Sequence, residues 1–172
     1  MKSLLIIFCS ILFQLSFAQN QFKWETIDST TKSKEQLYSL TKMYIAEKWK
    51  SANDVIQNDD KDGGVIILKG LTQKFTYKYL MNYHDFTYQY TMKFYFKDKK
   101  YKVQLEDITC HSHYVVANKW NCIEPTENTS NKIEGMSSEK LTEMMAALKK
   151  ELGAIFLSYN NYIYTSKDKT DW

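Results

Sequence analysis

The sequence predicts an α+β domain: a curved antiparallel sheet with two helices packed on one of its faces, in the order β-α-β-β-β-β-α. Three observations carry this reading. The segment FTYQYTMKFYF, Phe86 to Phe96, alternates strictly: Phe86, Tyr88, Tyr90, Met92, Phe94 and Phe96 against Thr87, Gln89, Thr91, Lys93 and Tyr95, the period of a strand with one buried and one wet face. Two other segments carry apolar residues at helical spacing, one before the strands and one after them. Two amphipathic helices and a set of one-faced strands bury their apolar surface most simply as helices on one side of a sheet, with the opposite face open.

The first residues, MKSLLIIFCSILFQLSFAQN, place Lys2 before an apolar run from Leu4 to Phe17, with small Ser16 and Ala18 ahead of Gln19. This is the pattern of a secretory signal peptide, expected over residues 1–18. Cys9 follows Ile6, Ile7 and Phe8, so no lipid anchor is expected there, and no later segment is apolar enough to span a bilayer. Residues 19–165 are then one domain and 166–172 a polar tail.

Phe22 to Ile27 reads as a short strand. Ser33 with Gln36 has the spacing of a capping box, and Lys34 to about Ser51 follows as a helix with Leu37, Leu40, Tyr44, Ile45 and Trp49 in one stripe. Val65 to Leu68 is a short apolar strand. Phe75, Tyr77, Tyr79 and Met81 alternate with Lys74, Thr76 and Lys78. After the long strand, KDKK at Lys97 to Lys100 is a turn, and Tyr101, Val103 and Leu105 alternate with Lys102, Gln104 and Glu106 as the returning arm of a hairpin. Ser137 or Ser138 caps a last helix whose stripe is Leu141, Met144, Met145, Leu148, Leu152, Ile155 and Phe156.

The stretches YIAEKWKSANDVIQNDDKDGGVIILKG and KDKKYKVQLEDIT resemble the secreted bacterial family known as domain of unknown function 4468, described as having a TATA-box-binding-protein-like (TBP-like) fold. The resemblance covers about Ser33 to Asp107. It implies the same element order as the periodicity does. It implies no activity, and it supplies no catalytic or binding residues. The fold name does not point to DNA, because a fold does not fix a function.

Composition narrows the function classes. The net charge is +3 and every basic side chain other than the histidines is lysine. Arginine is the usual residue for bidentate phosphate and guanine contacts, so nucleic acid is not an expected partner. Outside residues 1–18 the chain has two cysteines, Cys110 and Cys122. In an oxidising compartment these are candidates for a disulfide.

Two motifs invite a metal. Asn58, Asp60, Asp62 and Gly63 match the front half of an EF-hand loop, but the twelfth position is Lys69 where that loop needs a bidentate carboxylate. The stretch reads instead as a turn, with Gly63 and Gly64 supplying left-handed backbone. His111 and His113, with Cys110, Cys122 and His84, carry metal-ligand atoms but match no closed zinc spacing. No metal and no cofactor are expected. The sequence also contains no nucleophile elbow, no zinc-protease helix and no phosphate loop, so a non-enzyme is expected.

The tyrosines Tyr77, Tyr79, Tyr88, Tyr90 and Tyr101 could stack sugars, but they share the alternating face of Met92, Phe94 and Leu105, and core packing is the better account. Tyr95 lies on the polar face. The candidate binding face is therefore Thr87, Gln89, Thr91, Lys93 and Tyr95 with Lys102, Gln104 and Glu106. The function this suggests is an accessory or binding module of the cell envelope, monomeric, that recognises an envelope protein or a glycan. The alternative is a small metal-dependent or hydrolytic enzyme using the His111, His113 and cysteine region.

Overall fold

The computed structural model describes residues 22–49, 51–79, 82–112, 115–116, 119–120 and 136–166. The elements are β1 (Trp24–Ser29), α1 (Lys34–Lys48), α2 (Ala52–Val55), β2 (Ile56–Asp60), β3 (Val65–Leu71), β4 (Phe75–Tyr79), β5 (Asn82–Lys97), β6 (Lys100–Ser112), β7 (Val115–Val116), β8 (Lys119–Trp120) and α3 (Ser138–Thr165). Strands β1, β6, β5, β3 and β2 are neighbours in that order in a six-stranded sheet. Strand β5 spans 16 residues, so its first half pairs with β4 and its second half with β3. All of these pairings are antiparallel.

Helix α1 starts where its sequence says it should. Ser33 Oγ accepts from the Gln36 amide at 3.3 Å, and Gln36 Oε1 accepts from the Ser33 amide at 2.8 Å. The Asp98 carboxylate, from the β5–β6 turn, takes the Lys34 amide at 3.0 Å. Three of the first amide protons of the helix region are thereby satisfied. The helix ends at Lys48, earlier than expected. Trp49 adopts an extended backbone and sets its partly buried ring edge-on to Tyr44 at 5.8 Å. Ser137 caps the start of helix α3, its side chain accepting from the Lys140 amide. It runs 28 residues, about 42 Å at the usual rise. Ser166 caps its end, and residues 167–172 of the expected tail lie outside the described residues.

Both helices lie on one face of the sheet. Leu37, Leu40, Tyr44 and Ile45 from α1 and eight residues of α3 from Leu141 to Ile163 meet Ile66, Leu68, Tyr88, Tyr90, Met92, Phe94, Tyr101, Val103 and Leu105 in one core. Tyr159 sits at its centre, with ring centroids 5.2 Å from Tyr44, 4.7 Å from Phe94 and 5.8 Å from Tyr101. Such tilted and edge-to-face pairs add to the burial of aromatic area.

The acidic stretch is corrected in part. Asn58, Asp59 and Asp60 belong to a strand, β2, and only Lys61 to Gly64 turn. Asp60 closes the turn by accepting from the Gly63 amide at 2.7 Å, and Gly64 alone is left-handed, with φ 67°. Asp59, on the helix side of the sheet, receives the Tyr38 hydroxyl and the Lys42 ammonium. Burial raises the Asp59 carboxyl, and the hydrogen bonds from Lys42 and Tyr38 outweigh it to hold the group below its ordinary range. Strand β6 also runs farther than expected. Asp107, at φ 53°, makes a bulge opposite Tyr90, and the inward set changes from Tyr101, Val103 and Leu105 to Ile108.

Candidate functional site

The face away from the helices is built by alternation and register. Lys102 lies between Ile27 of β1 and Tyr95 of β5, and Tyr95 lies opposite Val65 of β3. One step along the strands, Gln104 lies between Glu25 and Lys93, and Lys93 faces Ile67. One step farther, Thr91 lies between Glu106 and Lys69. Among the described residues no helix packs on this side. The sheet therefore brings Lys93, Tyr95, Lys102, Gln104 and Glu106 of the predicted face together, and places Gln89 and Thr87 on the same side, opposite Thr109 and His111.

Thr91 departs from the expectation. It is only 5% exposed, because its short side chain stands between the longer Lys69 and Glu106 on the two flanking strands. It supports its neighbours and offers little surface. Of the tyrosines set aside as packing residues, Tyr88, Tyr90 and Tyr101 are buried; the side chains of Tyr77 and Tyr79 lie outside the described residues.

Most of the charge on this face is internally balanced. Glu106 pairs with Lys23 at 3.0 Å and Lys93 at 2.5 Å, and Lys93 also approaches Asp107 at 3.7 Å. Hydrogen bonding from Lys93, then from Lys23, holds the Glu106 carboxyl below its ordinary range. Glu25 accepts from Gln104 at 2.5 Å and pairs with Lys102 at 3.2 Å; these two bonds, Gln104 first, hold it low as well. The Lys102 ammonium stands 6.0 Å from the centre of the Tyr95 ring, within range of a cation–π attraction.

Toward the β5–β6 turn the balance ends. Ile27, Tyr95, Lys97, Lys100, Tyr101 and Lys102 line a shallow depression of about 240 Å³. Ile27 is 53% exposed, an aliphatic surface ringed by lysines. The sequence reading missed Ile27 because it lies on an edge strand, and missed Lys97 and Lys100 because it assigned them to a turn, whereas they end β5 and begin β6; only strand register brings the three beside Tyr95.

The metal-ligand types do not converge where they can be seen. Among the described residues no group of three or more His, Cys, Asp or Glu could hold a metal ion. His111 is exposed beside Thr87, while His113, Cys122 and the His84 side chain lie outside the described residues. Cys110 is disulfide-bonded, and Cys122, the partner considered from the sequence, is outside them too. So is the predicted signal segment, residues 1–18. Among the described residues no helix is long and apolar enough to cross a membrane.

Solved structures resemble the chain, among them two bacterial proteins. A TBP-like protein from Parabacteroides distasonis aligns with a TM-score of 0.59 and 14% identity over 86% of this chain and 95% of that one. A DUF4468 family protein from Bacteroides ovatus aligns with a TM-score of 0.57 and 14% identity over 87% and 89%. At this identity the likeness establishes the fold. No curated protein matches the chain. The model of the family described as "Domain of unknown function (DUF4468) with TBP-like fold" matches residues 24–111, just over half of the chain, and with the same fold found independently in the two structures, this protein belongs to that family.

Proposed function

We propose that the protein is a non-enzymatic accessory or binding module of the cell envelope, exported by the segment 1–18, and that its open sheet face recognises a partner protein. The observation that carries this reading is the row Ile27–Lys102–Tyr95–Val65. It places two aliphatic residues and an aromatic on the solvent side of a sheet whose other side is filled by helices. The row sets exposed Ile27 beside Tyr95 and Val65 with lysines around them, the layout of an interface with an apolar centre and a polar rim.

A protein suits this row better than a glycan. Sugar rings stack on open aromatic faces, and the Tyr95 ring already has the Lys102 ammonium over it. Aliphatic Ile27 and Val65 match apolar side chains instead.

The test is crosslinking in cells with a photoreactive residue at Tyr95, and at Leu157 as a control; Leu157 is exposed on α3, on the helix side of the molecule. One recurrent envelope protein crosslinked from Tyr95 and absent from the Leu157 control is the expected result. Adducts from neither position, or equally from both, would overturn the reading.

A further inference from the structure

The end of the open face near the β5–β6 turn has a charge arrangement that the rest of the face avoids. Lys97 and Lys100 are directly opposite each other as the terminal pair of the hairpin. Like charges in that relation repel. Elsewhere on the face Lys93, Lys23 and Lys102 each have a carboxylate within 3.2 Å, and Lys69 stands opposite Thr91 and not opposite another lysine. Among the described residues no acidic group pairs with Lys97 or Lys100. The acidic side chains nearby are engaged elsewhere: Asp98 receives the Lys34 amide, Asp28 receives the Thr26 and Tyr101 hydroxyls on the helix side, and Glu25 is bound to Lys102 and Gln104.

Resting on the reading of the open face as an interface, we propose that this depression receives an acidic segment of the partner protein. Its carboxylates sit on Lys97 and Lys100, and an aliphatic side chain between them fills the depression over Ile27 and Tyr95. A carboxylate placed there removes the repulsion between the two lysines and supplies the counter-charge that the fold withholds. The volume of about 240 Å³ suits a side chain or two, which fits an extended segment and not a folded surface. Apolar burial and two charge contacts then act together, the first for affinity and the second for selectivity. An anionic polysaccharide would use the lysines and leave Ile27 without a partner.

The test is a titration of the isotope-labelled chain, followed by NMR, with a synthetic pentapeptide Glu-Ser-Leu-Ser-Glu, whose two glutamates and central leucine share one face when the chain is extended. A peptide with glutamine in place of glutamate and dextran sulfate are the comparisons. The expected result is saturable shifts confined to Ile27, Tyr95, Lys97, Lys100 and Lys102, with no response to the glutamine peptide. Lys97→Glu and Lys100→Glu should each weaken binding by about tenfold or more. The same two variants should melt at a higher temperature than the parent, because each turns a repelling pair into an attracting one; loss of binding therefore cannot be ascribed to loss of the fold. Equal response to the glutamine peptide, shifts elsewhere on the surface, or binding of dextran sulfate but not the peptide each overturns the inference. A Tyr95 crosslink to a partner with no acidic surface segment also overturns it while leaving the open-face reading intact; absence of any Tyr95 adduct overturns that reading itself.

Discussion

The Tyr159 hydroxyl lies 2.8 Å from Thr41 Oγ1 in the buried contact between α3 and α1. Thr41 has one hydroxyl proton, and it points that proton at the Leu37 carbonyl, 2.7 Å away. The phenol must therefore donate and the threonine accept. Burial raises the Tyr159 phenol well above its ordinary range, so it is a protonated donor at neutral pH. The two helices are joined within the core by a bond of defined direction.

That direction makes the two obvious substitutions unequal. Tyr159→Phe removes the donor and leaves Thr41 still bonded to Leu37, an expected loss of about 1 kcal/mol. Thr41→Val leaves a buried phenolic proton with no acceptor, an expected loss of about 2–3 kcal/mol. Urea unfolding of both variants checks the order. If Tyr159→Phe is the more costly, the assigned direction is wrong.

Gly70 and Tyr90 are opposite each other on β3 and β5, and the tyrosine ring lies over the glycine. A Cβ at position 70 would sit 2.4 Å from Tyr90 Cζ and Oη. Tyr90 is 1% exposed, so its ring has no free space to enter. Gly70→Ala is expected to destabilise by about 1–3 kcal/mol through overpacking. The double variant Gly70→Ala with Tyr90→Phe should recover little, since the ring carbon still collides; full recovery would show that the hydroxyl alone is the obstacle.

How far these relationships were legible in the sequence depended on whether a residue's environment was set locally. Strand β5 was legible because its own alternation runs unbroken over eleven residues. The cap at Ser33 and Gln36 was legible because its partners are three residues apart. Strand β2 was not, because Asn58, Asp59 and Asp60 have turn chemistry. They form a strand because β3 offers pairing and because Tyr38 and Lys42 of α1 hold Asp59. The change of parity in β6 was hidden for a related reason: nothing in the composition of Asp107 announces a bulge. On the open face, alternation correctly named the side for Lys93, Tyr95, Lys102, Gln104 and Glu106. It could not show that Lys69 and Glu106 enclose Thr91, or that Ile27 stands beside Lys102, because strand order is not a local property.

The ion pairs of Glu106 should give stability a defined pH window. Its carboxyl is held below the ordinary 4.5, first by Lys93 and then by Lys23. A lowered carboxyl favours the folded state above pH 4.5, and this contribution is lost as pH falls through the lower folded value. Lys93 and Lys23 are both raised above 10.5, principally by their hydrogen bonds to Glu106, so their side of the same contribution persists below pH 10.5 and is lost above it. Glu106→Gln should therefore lower the urea midpoint at pH 7, and the difference from the parent should shrink at pH 3. A difference that is the same at both pH values would mean that packing, not charge, explains the effect.

Two turns at the same end of the sheet predict opposite responses to glycine chemistry. Lys99 has φ 60° and Gly64 has φ 67°, both in the left-handed region, where a side chain costs about 1–2 kcal/mol. At Lys99 the backbone is held by its neighbours: its amide donates to the Lys32 carbonyl at 2.9 Å, and its carbonyl accepts from the Thr30 amide at 3.0 Å. The turn conformation is thus enforced against the preference of lysine. Lys99→Gly relieves that strain, offset in part by the greater freedom glycine gains on unfolding, for an expected net gain of about 0.5–1 kcal/mol. Gly64→Ala meets both the backbone penalty and a collision, since its Cβ would lie 2.7 Å from the Phe96 carbonyl oxygen, across the strand pair that the 2.8 Å bond from the Phe96 amide to the Gly64 carbonyl holds closed. The expected loss there is about 2 kcal/mol or more. Thermal melts of the two variants should move in opposite directions, and a fall on Lys99→Gly would show that the lysine side chain contributes more to the folded turn than its backbone strain takes away.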